Sequence, residues 1–263
     1  FVDASIKIAD PYSRKVISEY DQYIPNSVYP NLISYPHGKT THEVSVIETN
    51  KQEYNWQTQN FTAPDSRDLV IYELLIRDFS FRSDYQTVID SLPHLKKLGI
   101  NAIQLMPIIE FDGLLSWGYA PTFFFAAEKF YGPEETLKAL IDSCHANGIA
   151  VILDIVFNHA FQPNPWLRLY YDKGRDEATS QSPWFNTIAT HPFNVGYDFN
   201  HSSPLVHAMV DSVLDYWTSE FKFDGYRFDL SKGFTQFNSL GNVGLWSNYD
   251  WDRINNIKRI STK

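Results

Sequence analysis

Four apolar runs of strand length, separated by stretches with helical periodicity, constrain the fold of this chain more than any other feature of its sequence. They occupy residues 69–76, 101–107, 149–157 and 223–230. A strand that is buried on both faces is such a continuous apolar run, and strands that alternate with helices form a parallel sheet with right-handed crossovers. Residues 67–263 are therefore predicted to form an α/β fold.

Two α/β architectures fit this alternation, a doubly wound sheet and a (β/α)8 barrel of the TIM type. No glycine-rich phosphate loop follows any of the runs, which argues against a nucleotide-binding doubly wound sheet. Polar residues and two long connections, 108–132 and 158–203, follow the carboxyl ends of the runs. Barrel enzymes carry their active sites at that end of the strands, so the pattern favours the barrel.

Residues 1–66 have a different pattern. Short β-type runs such as 43–47 are interrupted by five prolines, the last of them Pro64. Such a pattern is typical of short strands and turns rather than of strand–helix units. This segment is predicted to be the tail of a β-rich module followed by a linker.

The overall composition argues against several classes of binding partner and structural site. A formal net charge of −9 argues against a nucleic acid or an anionic membrane surface. The single cysteine, Cys144, rules out a disulfide within the chain and a cysteine-based metal cluster, and no apolar run reaches the ~18 residues of a membrane span. The 19 Phe, 16 Tyr and 7 Trp residues either fill a bulky core or include rings that stack on sugars. The cellular location is left open.

Arg227 and Asp229 lie in the most informative segment of the chain, residues 225–233. Side chains alternate along a strand, so these two share one face. A neighbouring arginine keeps a partly buried carboxylate ionised, and an ionised carboxylate at a barrel rim suits a nucleophile for glycosyl transfer. A structural ion pair would have the same spacing, and spacing alone does not separate the two interpretations.

A second polar group ends the third run. Asp154 and Asn158 share a strand face, and His159 begins the next connection. Carboxylate and amide oxygens are ligands for hard cations such as Ca²⁺, whereas a lone histidine is typically a hydrogen-bonded structural residue. After the second run, Trp117 and Tyr119 either present their rings to a ligand or form a hydrophobic lid.

At these residues the chain resembles the α-amylase superfamily of retaining glycoside hydrolases. The resemblance covers about residues 68–233 and implies a (β/α)8 TIM barrel with about its first four βα units present. A small domain, residues 158–203, would be inserted after the third strand, and residues 1–66 would be the tail of a β-sandwich-like N-terminal module with its linker. Ala120 departs from the Asn that branching and debranching relatives commonly have there. The matching motifs are Tyr72-Glu-Leu-Leu-Ile-Arg-Asp-Phe79, Trp117-Gly-Tyr119, Asp154-Ile-Val-Phe-Asn-His159, Tyr197-Asp-Phe-Asn200 and Gly225-Tyr-Arg-Phe-Asp229.

The resemblance implies a catalytic role for each matching position. Asp229 would be the nucleophile that forms a covalent glycosyl-enzyme intermediate, and Arg227 would orient it. Tyr119 would stack under the sugar at the cleavage site. His159 would bond to the hydroxyl groups of that sugar, and Lys232 would contact the leaving-group side.

The resemblance also implies a substrate and an optional ion. The substrate would be an α-glucan such as starch, glycogen or a maltooligosaccharide, cleaved by hydrolysis or transferred to another sugar. Asp154 would support the rim. Asn158 and Asp198 would lie where some relatives bind calcium and others do not, so calcium is an option and no cofactor is required.

A retaining mechanism also needs a second carboxyl group as general acid, about 5–5.5 Å from the nucleophile. In the family this group is a Glu on the fifth strand, whereas the last Glu of this chain is Glu220, before Asp229. The sequence therefore predicts an incomplete catalytic domain, inactive alone, with its general acid beyond residue 263. The alternative is a non-catalytic relative that lacks the general acid and binds an α-glucan or a protein partner.

Overall fold

The computed structural model describes residues 7–262. Its β-strands are β1 (Val16–Ile17), β2 (Val44–Ser45), β3 (Ile71–Leu74), β4 (Ala102–Leu105), β5 (Ile109–Phe111), β6 (Pro121–Ala127), β7 (Ala150–Val156), β8 (His159–Ala160), β9 (Tyr171–Asp172), β10 (Glu177–Ala178), β11 (Tyr197–Asp198) and β12 (Gly225–Asp229). Its α-helices are α1 (Ile76–Phe79), α2 (Tyr85–Lys97), α3 (Glu134–Ala146), α4 (Pro165–Arg168), α5 (Pro204–Phe221), α6 (Val243–Ser247) and α7 (Trp251–Ser261). Short 3-10 helices cover Glu19–Tyr23, Ser66–Asp68, Lys129–Tyr131 and Ser231–Gly233.

Each of the four apolar runs contains one strand of a single parallel sheet. The order across this sheet is β12–β7–β4–β3, and every neighbouring pair is parallel. Helices α2, α3 and α5 lie between successive strands in the chain, as the alternation of strand and helix requires. The prediction of an α/β fold with a parallel sheet is confirmed.

The first run forms a shorter strand than the sequence predicts. Strand β3 ends at Leu74, and the chain then makes the helical turn α1, which contains Arg77 and Asp78. Val70, which precedes β3, and Ile71, its first residue, are 52% and 47% exposed. The prediction of a strand over 69–76 buried on both faces is therefore wrong at both ends.

The two faces of the parallel sheet have different characters, because side chains alternate along each strand. One face carries Leu105, Val151 and Ile155, which are fully buried in the main hydrophobic core together with residues of α2, α3 and α5. The opposite face carries Gln104 and Asp154 in neighbouring strands, and it leads to the polar residues at the carboxyl ends. The helices thus support the sheet from one side and leave the polar face for the site.

Short antiparallel pairs build the rim at the carboxyl ends of the parallel strands. Strands β5 and β6 lie in the connection after β4, and β8 pairs with β11 in the connection after β7. In the β8–β11 pair, His159 lies opposite Asp198 and Ala160 opposite Tyr197. Strands β8 and β11, which are separated in the chain by residues 161–196, are thereby held beside β7.

The part of the N-terminal region that is described, residues 7–66, contains the antiparallel pair β1–β2, with Val16 opposite Ser45. The assignment of residues 1–66 to the tail of a β-sandwich-like module stays a prediction, and residues 1–6 lie outside the described residues. Among residues 7–262, no helix combines the length and the apolar composition needed to cross a membrane.

Candidate active site

Arg227 joins two carboxylates at the carboxyl end of the sheet. Strands β7 and β12 pair in a register that places Arg227 beside Asp154. Its Nη1 atom lies 3.0 Å from Oδ1 of Asp154 and 2.6 Å from Oδ1 of Asp229. The Asp154 side chain is fully buried, whereas the Asp229 side chain is 24% exposed. The arrangement therefore has one structural carboxylate below the guanidinium and one accessible carboxylate beside it.

The electrostatics of this trio keep the guanidinium charged. Burial opposes the charge on Arg227, but Asp154 and Asp229 together raise the pKa of the guanidinium above its ordinary value. Burial raises the pKa of Asp154 to about 6, against the hydrogen bond from Tyr119 and the charge of Arg227, which favour the ionised form. Arg227 is thus a fixed positive charge next to the accessible oxygen atoms of Asp229.

Tyr119 is held over this trio by the loop before β6. Its hydroxyl donates to Oδ2 of Asp154 at 2.9 Å, and burial, followed by the charge of Asp154, raises the pKa of the phenol so that it stays a donor. The preceding Gly118 has φ of +90°, and a Cβ atom there would lie 2.4 Å from the carbonyl oxygen of Pro107. Only glycine allows this close approach, which places Tyr119 on the site while Trp117 stays 61% exposed.

His159 supports the same loop from the other side. Its Nε2 lies 2.9 Å from the carbonyl oxygen of Tyr119, so Nε2 carries the proton and donates. Nδ1 then accepts from Nδ2 of Asn158 at 3.1 Å, and burial lowers the pKa of the imidazole, which favours this neutral form. Both ring nitrogens are therefore engaged within the protein, and His159 is 1% exposed.

Lys232 does not join the other predicted site residues. Its Nζ lies 3.3 Å from Oγ of Ser247 and 4.0 Å from the ring centroid of Trp246. The chain turns through a left-handed residue, Leu230, with φ of +45° directly after β12, and the 3-10 helix that follows carries Lys232 toward α6. The structure thus brings Tyr119, Asp154, His159, Arg227 and Asp229 together and places Lys232 against α6.

Glu73 and Gln104, on the polar face of the sheet, also belong to the site, although their positions in the sequence did not predict it. Nε2 of Gln104 lies 3.1 Å from Oε2 of Glu73 and 3.5 Å from Oδ2 of Asp154. Gln104 is a polar residue in the middle of an otherwise apolar buried strand. Buried amides need hydrogen-bond partners, so that isolated polar position was the available signal.

The space between the side-chain oxygens of Asn158 and Asp198, the residues predicted as calcium ligands, is filled by the imidazole of His191. Nε2 of His191 donates to Oδ1 of Asn158 at 2.9 Å and lies 3.6 Å from Oδ1 of Asp198. A Cβ atom on Gly233 would lie 1.8 Å from that Asn158 oxygen, so the space is closed from a third side. Calcium takes six to eight oxygen ligands, and within residues 7–262 no three His, Cys, Asp or Glu residues are grouped so that they could hold a metal ion. Asn158 and Asp198 therefore do not fit a calcium site as they stand.

Comparison with known proteins identifies the family. The family model described as the alpha amylase catalytic domain matches residues 44–197. The chain belongs to the α-amylase family. The family and the solved structures below show that its parallel sheet is part of a TIM-barrel catalytic domain, which decides between the two architectures.

Curated relatives of this α-amylase family chain include a malto-oligosyltrehalose trehalohydrolase and an isoamylase. The chain is 31% identical to a malto-oligosyltrehalose trehalohydrolase of Saccharolobus solfataricus over 78% of its own length and 34% of the relative. It is 28% identical to the chloroplastic isoamylase SU1 of Zea mays over 97% of its own length and 34% of the relative. The chain thus spans about a third of the length of these curated relatives.

Solved structures share the fold of this α-amylase family chain. A putative alpha amylase from Salmonella typhimurium superposes with a TM-score of 0.65 at 22% identity, over 97% of this chain and 36% of the other. A type I pullulanase from Bacillus subtilis, solved with maltose, gives a TM-score of 0.63 at 21% identity over 97% and 35%. At these identities the likeness concerns the fold.

Proposed function

We propose that this chain contributes the nucleophile half of the active site of a retaining glycoside hydrolase or transglycosylase that acts on α-glucans. The observation that supports it most is the accessible carboxylate of Asp229 with the Arg227 guanidinium 2.6 Å away. The relatives named as isoamylase and as 1,4-alpha-glucan branching enzyme support α-glucans as the substrate class. Since the chain spans about a third of its relatives, the activity proposed is that of the whole protein.

In the proposed reaction, Asp229 attacks the anomeric carbon of a glucosyl unit. An electron pair of the carboxylate forms the new C–O bond, the glycosidic C–O bond breaks, and the departing oxygen takes a proton from a general acid. Water or a sugar hydroxyl then displaces Asp229 and restores the carboxylate. Arg227 holds the carboxylate of Asp229 in position through their ion pair, and the ring of Tyr119 stacks on the sugar.

The general acid in this proposal is a carboxyl group other than Asp154. Asp154 shares Arg227 with Asp229, but it is fully buried and bonded to Tyr119 and Arg227, so it cannot reach a glycosidic oxygen. We place the proton donor in a part of the whole protein beyond these 263 residues. The assignment of residues 158–203 to an inserted small domain belongs to the same proposal.

A mechanism-based label tests this proposal directly. A fluorinated glucosyl inhibitor that accumulates the glycosyl-enzyme should label Asp229, because the fluorine substituent slows release of the covalent intermediate. Proteolysis and mass spectrometry of the labelled peptide would locate the bond. A label on another residue, or none in a preparation that cleaves α-glucan, would contradict the proposal. Glucan binding with neither cleavage nor label would favour the non-catalytic alternative.

The proposed enzyme requires no metal cofactor at Asn158 and Asp198, because the imidazole of His191 already lies between their oxygen atoms. We expect that EDTA leaves both the thermal unfolding midpoint and the rate of α-glucan cleavage unchanged. The measurement is a thermal melt and a rate assay with and without the chelator, each repeated after calcium is added back. A loss that calcium restores would show that the cation is needed.

The expectation that the protein does not bind nucleic acid stays a prediction from the net charge.

A further inference from the structure

An open pocket of about 480 Å³ lies on the N-terminal region of the chain. The segment from Tyr35 to His42 forms most of its wall, and Lys7 and Glu19 complete it. No residue of the candidate active site lines this pocket. Any ligand that it binds would therefore be held apart from the carboxylate of Asp229.

The lining of this pocket carries more positive than negative groups. Its side chains include two lysines, two imidazoles and two threonine hydroxyls, but only one carboxylate. Among residues 7–262, neither of the two lysines forms an ion pair, although the whole chain has a net charge of −9. A concave surface lined by charges of one sign concentrates ions of the opposite sign, so this surface, which we call the basic pocket, attracts anions. Its charged residues and imidazoles are Lys7, Glu19, His37, Lys39 and His42.

A guanidinium behind the lining adds to the positive charge of the basic pocket. Nη1 of Arg168, in α4, donates to Nδ1 of His42 at 3.1 Å, and its Nη2 donates to the carbonyl oxygen of Lys7 at 3.1 Å. Because Nδ1 of His42 accepts, its Nε2 carries the proton and is a donor. Burial lowers the pKa of this imidazole, and the charges that lower it further are those of Arg168, Lys7 and Lys173. Several cations thus lie around one neutral donor.

Two carboxylates offset part of this positive charge. Glu19 lines the basic pocket, and Glu43 lies close enough to Arg168 to favour the charged guanidinium. Burial raises the pKa of Glu43, so its ionised form is disfavoured. The lining therefore combines an excess of cationic donors with one acceptor, Glu19. This combination suits a ligand that has one anionic group and neutral hydroxyls.

The main wall of the basic pocket is held in shape by its own hydrogen bonds. The hydroxyl of the buried Tyr35 donates to the carbonyl oxygen of His42 at 2.8 Å, which ties the two ends of the wall together. The backbone N–H of Lys39 donates to the carbonyl oxygen of Pro36 at 3.1 Å. Gly38 lies inside this turn with φ of +76°, a conformation that favours glycine. Lys39 and His42 are thereby carried on one closed segment.

We propose that the basic pocket binds a phosphate group, either free or carried by a sugar. The ammonium groups of Lys7 and Lys39 and the Nε2–H group of His42 donate to the phosphate oxygens, and Glu19 accepts from a sugar hydroxyl when a sugar is present. Hydrogen bonds from charged donors to phosphate are short and strong. The proposal does not depend on the proposed function, because the pocket and the candidate active site share no residue.

The test is isothermal titration of the whole protein with glucose 6-phosphate at low ionic strength, with inorganic phosphate and glucose as parallel titrants. The dissociation constant of glucose 6-phosphate should rise about tenfold in Lys39→Gln, because a hydrogen bond from a charged donor is lost. Lys7→Gln should have a similar effect from the other wall. Lys97→Gln is the matched control, because it removes the same charge at an exposed position of α2 that does not line the pocket.

Each outcome decides for or against the phosphate site. Wild-type protein that binds neither phosphate compound, or equal binding by Lys39→Gln, Lys7→Gln and the control, would overturn it. An equal loss of affinity in the control would also overturn it, since binding would then follow net charge. Tighter binding of glucose 6-phosphate than of inorganic phosphate would support a phosphorylated sugar, and equal binding would support free phosphate. Glucose should give no signal that Lys39→Gln changes.

Discussion

Asp229→Asn is expected to lower kcat for α-glucan cleavage by a factor on the order of 10⁴ or more, because no comparable nucleophile replaces the carboxylate. The amide is isosteric but a far weaker nucleophile, so the covalent intermediate does not form. Asp229 is partly exposed at the end of β12 and is not part of the core, so the fold and the binding of oligosaccharides should persist. The measurement is the cleavage rate of soluble starch, with binding of maltoheptaose as the second readout.

Asp215→Asn serves as the matched control for this change. Asp215 is an exposed carboxylate on α5, on the helical side of the sheet and away from Arg227, so its rate should equal that of the wild type. Near-normal cleavage by Asp229→Asn would show that another group attacks the sugar. Loss of both cleavage and maltoheptaose binding would instead point to a damaged fold, which a circular dichroism spectrum would reveal.

The sheet and one pair of site residues could be predicted from the sequence because local patterns determine them. Continuous apolar runs predicted the strands β4, β7 and β12, and alternation along β12 placed Arg227 and Asp229 on one face. The same pattern wrongly extended β3 to residue 76. Leu75 and Ile76 are apolar, but they begin the helical turn α1, and Ile76 is buried in the main hydrophobic core. Hydrophobicity reports burial, and burial does not distinguish an extended segment from a short helix.

Contacts between distant segments could not be predicted in this way. His191 lies between Asn158 and Asp198 because the β8–β11 pairing folds the segment that follows β7 back on itself, and no periodicity marks that path. Lys232 follows β12 closely in the chain, but one left-handed residue, Leu230, turns it toward Trp246. A spacing pattern predicts where side chains point only within one helix or strand. The position of a residue that follows a turn, such as Lys232, cannot be predicted from it.

Asp154→Asn is expected to separate catalysis from stability at this site. The wild-type carboxylate accepts from the hydroxyl of Tyr119 and from Nη1 of Arg227, and the amide can accept from both only through its single carbonyl oxygen. A misplacement of about 1 Å in a catalytic arrangement costs about 10²-fold in rate, so kcat should fall by about that factor. KM should change less than kcat, because the outer contacts of the glucan are untouched.

The stability of Asp154→Asn relative to the wild type should increase as pH rises, although the variant is slower. Burial raises the pKa of Asp154 from 3.8 to about 6, so in the folded protein ionisation is disfavoured relative to the unfolded chain. The stability that this group contributes is fully present below about pH 4 and is lost as pH rises through about 6. An uncharged Asn carries no such loss, so the free energy of unfolding of Asp154→Asn relative to wild type should increase between pH 4 and 7.

Urea denaturation of both proteins at pH 4, 5.5 and 7, beside the kcat values at pH 7, measures the two effects together. A slower but relatively stabilised variant would mean that Asp154 costs stability at neutral pH and is retained for positioning Tyr119 and Arg227. Asp215→Asn is again the control, because Asp215 is an exposed carboxylate on α5 that does not belong to the site. A relative stability that does not change with pH would show that burial does not raise the pKa of Asp154. A rate equal to that of the control would show that Asp154 does not position the nucleophile.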